Sequence, residues 1–137
     1  MNKVKSLICL PVHLSMMAVF SLCLLSCTEP SNIEQQWSVD EVWQRTQSDS
    51  SVVLLDVRSE EEYQAGHLPN AINIPISQFE KGIPDMPFAK DTTTVVYCRS
   101  GPRANRVQQL LKQAGYSGVY DMRGHFTKWQ DMKLPIE

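Results

Sequence analysis

The stretch Thr94-Val95-Val96-Tyr97-Cys98-Arg99-Ser100-Gly101-Pro102-Arg103 packs three events into ten residues: an apolar run, a polar turn with a thiol at its hinge, and the opening of a helical pattern. That order predicts a buried strand, a sharp loop and a helix start. A thiol that faces a helix N-terminus, flanked by Arg99 and Arg103, has its thiolate stabilised, and the thiolate is the reactive form. The stretch points to cysteine chemistry directed at an anion.

Working outward, the same alternation repeats. Ser38 with Glu41 has capping-box spacing, and Val39, Val42 and Trp43 share one stripe, so a helix is predicted over 39–47. Asp49 to Ser51 break it, and the continuous apolar run Val52 to Val57 reads as a strand buried on both faces. Ser59 with Glu62 caps a short second helix that Gly66 closes. Ala71 to Ile74 is a short strand between Pro69-Asn70 and Pro75, followed by a helical turn around 77–81 and loop around Pro84 and Pro87. Thr93 to Tyr97 is the next strand. Arg103 to Ala114 is a helix with Pro102 near its first turn and Gly115 at its end. Val119 to Met122 is a last strand, and Gly124 precedes a helix carrying Phe126 and Trp129. Strands alternating with helices predict a parallel α/β sheet covered on both faces, with sites at the carboxyl ends of its strands. Cys98 and Asp56 both stand at such ends. Trp37, Trp43, Phe126 and Trp129 suit core packing.

The amino-terminal residues have a different character. Lys3 and Lys5 precede a nearly unbroken apolar segment from Leu7 to Leu25, and Leu24-Leu25-Ser26 leads into Cys27. This resembles the lipobox of bacterial lipoproteins. The resemblance implies a signal peptide over 1–26, lipid on the Cys27 sulfur, and a tether over 27–36 ahead of a domain over 37–133. The expected location is extracytoplasmic, anchored on the periplasmic side of the inner or outer membrane; Thr28 leaves out the acidic retention residue some bacteria read there. The alternative is an uncleaved membrane helix, against which Pro11, His13 and the Ser26-Cys27 junction argue.

Without the signal, 111 residues remain, enough for one domain and one site. The full chain carries 13 basic and 15 acidic residues, and losing Lys3 and Lys5 makes the remainder mildly acidic. No basic stripe suits nucleic acid. Cys9 and Cys23 leave with the signal and Cys27 is blocked by lipid, so Cys98 is expected to be the one free thiol, with no partner for an intrachain disulfide. No ligand set for zinc or an iron–sulfur cluster is present, and no cofactor is expected.

Four groups of residues carry a family resemblance: Leu54-Leu55-Asp56-Val57-Arg58; Glu61-Glu62-Tyr63; Gly66-His67-Leu68-Pro69-Asn70-Ala71 with Asn73-Ile74-Pro75; and Tyr97-Cys98-Arg99-Ser100-Gly101 with Arg103-Ala104. In this order and spacing the chain resembles the single-domain rhodanese-like sulfurtransferases over nearly all of Trp37 to Trp129. The resemblance implies a three-layer α/β/α fold with a mostly parallel central sheet of about five short strands. It implies that Cys98 takes sulfane sulfur from a small anion such as thiosulfate, holds it as a persulfide and passes it to cyanide or a thiol. Arg99, Ser100, Gly101 and Arg103 are then expected to bind substrate, with Asp56 and Arg58 supporting the site and His67 fixing a turn. No protein partner is indicated.

Two positions depart from the family pattern. Pro102 has no N–H, which removes one donor from the loop at a cost of about 1–3 kcal/mol where nothing replaces it. His125 stands where many relatives have a second glycine after Gly124, and there it either strains the turn or lines the mouth of the site. Other classes remain in view. A persulfide carrier or binding module is compatible with a retained Cys98. Phosphatases and arsenate reductases also use a cysteine loop ending in arginine, but four residues separate Cys98 from Arg103, one fewer than in those phosphatases, which favours a sulfur atom as guest.

Overall fold

The computed structural model describes residues 35–137. The expected signal peptide, Cys27 and the expected tether through residue 34 lie outside the described residues. Five strands and four helices alternate: β1 (Gln36–Ser38), α1 (Val39–Ser48), β2 (Val53–Asp56), α2 (Glu60–Gln64), β3 (Ile72–Asn73), β4 (Thr94–Tyr97), α3 (Pro102–Gln113), β5 (Val119–Arg123) and α4 (His125–Asp131), with a 3-10 turn over Ile76–Phe79. All pairings are parallel, in the order β1-β5-β4-β2-β3. The parallel α/β sheet of five short strands expected from sequence is present.

Alternation along the central strands explains the layering. Leu54, Val95, Tyr97 and Met122 join Val39 and Val42 of α1 and Phe126 and Trp129 of α4 in one core. Leu55, Val57, Val96 and Cys98 point the other way, onto Ala104, Val107 and Leu111 of α3. Each helix starts where its sequence says. Ser38 Oγ accepts from Glu41 N–H while Ser38 N–H donates to the Glu41 carboxylate at 2.7 Å, and Ser59 and Glu62 repeat the arrangement at α2. Pro102 occupies the first turn of α3, where a missing N–H costs least.

The strand that sequence patterning does not predict is β1. Gln36, placed by patterning in the tether, pairs with Asp121, and Trp37 stacks on Tyr120 with ring centroids 4.3 Å apart. Three residues on a sheet edge are too few to show a period.

This topology places the site. β2 and β4 are neighbours, and Asp56 lies in register with Tyr97. From β2 the chain moves outward to β3; from β4 it moves to β5 on the other side. The carboxyl ends of β2 and β4 therefore border a crevice where the connections diverge, the position at which open α/β sheets bind ligands.

Candidate active site

Cys98 follows β4 directly and is 1% exposed, at the floor of the loop into α3. Its Sγ accepts a hydrogen bond from Gly101 N–H at 3.0 Å. Gly101 has φ +126, in the region that favours glycine, and this turns its N–H back onto the sulfur. The loop's carbonyls are held elsewhere. Phe126 N–H donates to Cys98 O at 3.0 Å, and Thr127 donates to Arg99 O through both its N–H and its hydroxyl, at 3.2 and 2.9 Å. The first turn of α4 thus clamps the loop's oxygens. An N–H and the N-terminal end of α3 are left to face the sulfur, an arrangement that favours a sulfur anion.

The two loop arginines differ. Arg99 is exposed, and among the described residues no carboxylate pairs with it. Arg103 makes a forked ion pair with Glu62 of α2, at 2.5 and 2.9 Å. The Arg103 guanidinium beside Glu62 holds that carboxyl down at about 2. Glu62 in turn raises Arg103, and Cys98 adds less in the same direction. In the sequence Glu62 stands in a capping box and in the Glu61-Glu62-Tyr63 group; its Oε2 does accept from Ser59 N–H at 3.1 Å, and it also anchors Arg103. Nothing local in the sequence signals a contact spanning 41 residues.

Asp56 and Arg58 form a buried unit under the crevice. Arg58 donates to both Asp56 oxygens, the shortest contact being 2.7 Å, and also to Gly66 O at 2.7 Å. Its guanidinium lies 3.9 Å from the Phe126 ring centroid. Asn73 ties this unit together by donating to Asp56 O and Arg58 O. This unit thus ties β2 to β3, to the segment after α2 and to α4. A cleft of about 220 Å³ on this side is lined by Arg58, Glu62, Gly66, Arg99, Phe126 and Gln130. Ser100 is exposed on the loop, and Pro102 points no donor at the sulfur.

Two further positions are decided by tertiary contacts. His67 fixes a turn: its Nδ1 lies 3.0 Å from Tyr63 O, and its backbone exchanges two hydrogen bonds with Glu137. His125 has φ +52 and is buried. Its ring lies inside against Gly101, not at the mouth.

The rhodanese-like domain family matches residues 38–132. A protein of Allochromatium vinosum called sulfurtransferase is 34% identical over 93 residues, which cover 68% of this chain and 85% of that one. The human thiosulfate:glutathione sulfurtransferase is 34% identical over 88 residues, covering 56% and 76%. An uncharacterised Synechocystis protein is 32% identical over 92 residues, 67% of this chain but half the length of that relative. Among solved structures, a human single-domain sulfurtransferase superposes with a TM-score of 0.64 at 28% identity, covering 71% of this chain and 96% of that one.

Proposed function

The chain belongs to the rhodanese-like domain family, and from that premise we propose that it is a sulfurtransferase whose Cys98 carries sulfur as a persulfide. The observation that carries this reading is the Gly101 N–H directed at Cys98 Sγ, on a loop whose four residues between Cys98 and Arg103 favour sulfur as guest. The Cys98 thiolate attacks the outer sulfur of thiosulfate, the S–S bond breaks, and sulfite leaves with the electron pair. Cyanide or a thiolate then attacks the terminal sulfur of the persulfide and releases Cys98 as thiolate. Arg99, free at the rim, attracts and orients the anionic donor, whereas Arg103 acts from within its Glu62 pair. The name of the human relative supports a thiol acceptor.

Incubation with thiosulfate, followed by intact mass measurement and then cyanide, tests the reading. A one-sulfur adduct on the wild type, absent from Cys98→Ser and discharged as thiocyanate, is the expected result. No adduct overturns it. An adduct that cyanide does not discharge favours the carrier reading.

We also propose that Cys27 is lipidated and holds the domain at the periplasmic side of a membrane; the charged start, apolar segment and Ser26-Cys27 junction support this. Radiolabelled fatty acid should enter the chain and be lost in Cys27→Ser. Continued labelling of that variant rejects the assignment.

A further inference from the structure

Two ionisable side chains lie beneath the Cys98 loop and take no part in the chemistry above. Asp121 on β5 is 5% exposed, and His125 at the start of α4 is 6% exposed. His125 Nε2 stands 3.8 Å from Asp121 Oδ2. Asp121 Oδ1 and His125 Nδ1 have no hydrogen-bond partner among the described residues. An unpaired buried polar atom costs on the order of 1–3 kcal/mol. The backbone is strained at the same point: Gly124 has φ +97 and His125 φ +52. A residue other than glycine held in the left-handed region also costs on the order of 1–3 kcal/mol, and such strain concentrates at functional sites.

The ring's contact with the loop shows what these costs accompany. A Cβ placed on Gly101 lies 3.0 Å from His125 Nε2 and 3.4 Å from Cδ2, so the imidazole edge closes onto Gly101. Gly101 is the residue whose N–H reaches Cys98 Sγ.

We propose that Asp121 and His125 form a buried positioning pair for Cys98: the imidazole holds Gly101 where its N–H meets the sulfur, and the proton held by the pair sets the charge lying behind it. This rests on Cys98 acting as a thiolate. Facing the pair are Lys112 of α3, which favours the Asp121 carboxylate, and the Cys98 loop with Arg103 beside the thiol; the Lys128 side chain packs on Gly124. Burial outweighs Lys112 and pushes Asp121 up to about 6, and burial pulls His125 down to about 4. At neutral pH the pair therefore carries one negative charge. As pH falls through about 6 it gains one proton and becomes neutral, whichever partner holds that proton. A negative charge behind the loop opposes the thiolate, and its neutralisation favours it.

The test follows modification of Cys98 by iodoacetamide in the full chain, from acid to mildly alkaline pH, resolved peptide by peptide by mass spectrometry. The wild-type curve is expected to be broader than a single-site titration. Asp121→Asn should give a single-site curve with its midpoint lower by about 0.5–1 unit. His125→Gly relaxes the backbone but takes the ring off Gly101, so its midpoint should rise by a similar amount. Opposite displacements distinguish positioning from general loosening of the loop. Displacement of both variants in one direction, or a wild-type curve with single-site shape, overturns the proposal; the wild-type arm does so even where a variant folds poorly. No sulfur donor is used, so absent persulfide formation with these displacements intact counts against the sulfurtransferase reading alone.

Discussion

Glu62 and Arg103 lie 41 residues apart and meet as a forked ion pair, at 2.5 and 2.9 Å, joining the first turn of α2 to the first turn of α3. The same Glu62 caps α2 through Ser59. One carboxylate thus sets the start of a helix and the orientation of a guanidinium beside the thiol. Around Cys98, Arg99 is thus left without a carboxylate while Arg103 is already neutralised.

The pair should appear in acid unfolding. Glu62 is held at about 2 against an ordinary value of 4.5, so its folded-state pKa is depressed. It contributes stability above about 4.5, and this is lost as pH falls from there through about 2. Glu62→Gln should lower stability at neutral pH by about 1 kcal/mol, since the pair is partly exposed. The difference from wild type should vanish at the acid end of a urea-unfolding series; a gap independent of pH contradicts the assignment.

The buried Asp56–Arg58 unit predicts a larger effect. Asp56→Ala leaves a buried guanidinium without its carboxylate and should cost about 3–5 kcal/mol in chemical denaturation. The double variant Asp56→Leu with Arg58→Met should cost less than Asp56→Ala alone, because no charge is left unpaired. Equal losses would mean that packing, not charge, dominates.

Gly101→Ala tests the loop directly. The backbone there favours glycine, and the new methyl meets the His125 ring at 3.0 Å. A hydrogen bond to a charged group contributes about 1.5–3 kcal/mol. Displacing Gly101 N–H from the sulfur should therefore slow persulfide formation roughly ten- to hundredfold. Rates from single-turnover mixing with thiosulfate decide this; unchanged rates would remove that N–H from the mechanism.

Arg99→Ala should act on binding alone. Thr127 holds the Arg99 carbonyl, so losing the side chain leaves the loop in place, with stability changed by no more than about 0.5 kcal/mol. KM for thiosulfate should rise several-fold with kcat nearly constant, and its dependence on ionic strength should weaken. A fall in kcat at constant KM would assign Arg99 to the chemical step instead.

Most of the fold was legible because its signals are local. Capping-box spacing starts α1 and α2, a continuous apolar run marks β2, and Cys98 follows an apolar run and precedes Pro102 and a helical stripe. Each signal spans a few residues, the range over which backbone hydrogen bonding and side-chain period are set. The edge strand β1 was not legible, since its pairing with β5 lies 85 residues away, Gln36 to Asp121, and its own three residues show no period.

The sequence by itself determined the parallel α/β architecture and put the thiol at a strand end before a helix, because periodicity and capping are written in neighbouring residues. Tertiary structure alone decided which guanidinium is left free, by bringing Glu62 onto Arg103 and leaving Arg99 exposed. It also decided the role of His125, turning the ring inward onto Gly101 and Asp121. Charge pairing and burial depend on which distant side chains share a space, and no spacing along the chain encodes that.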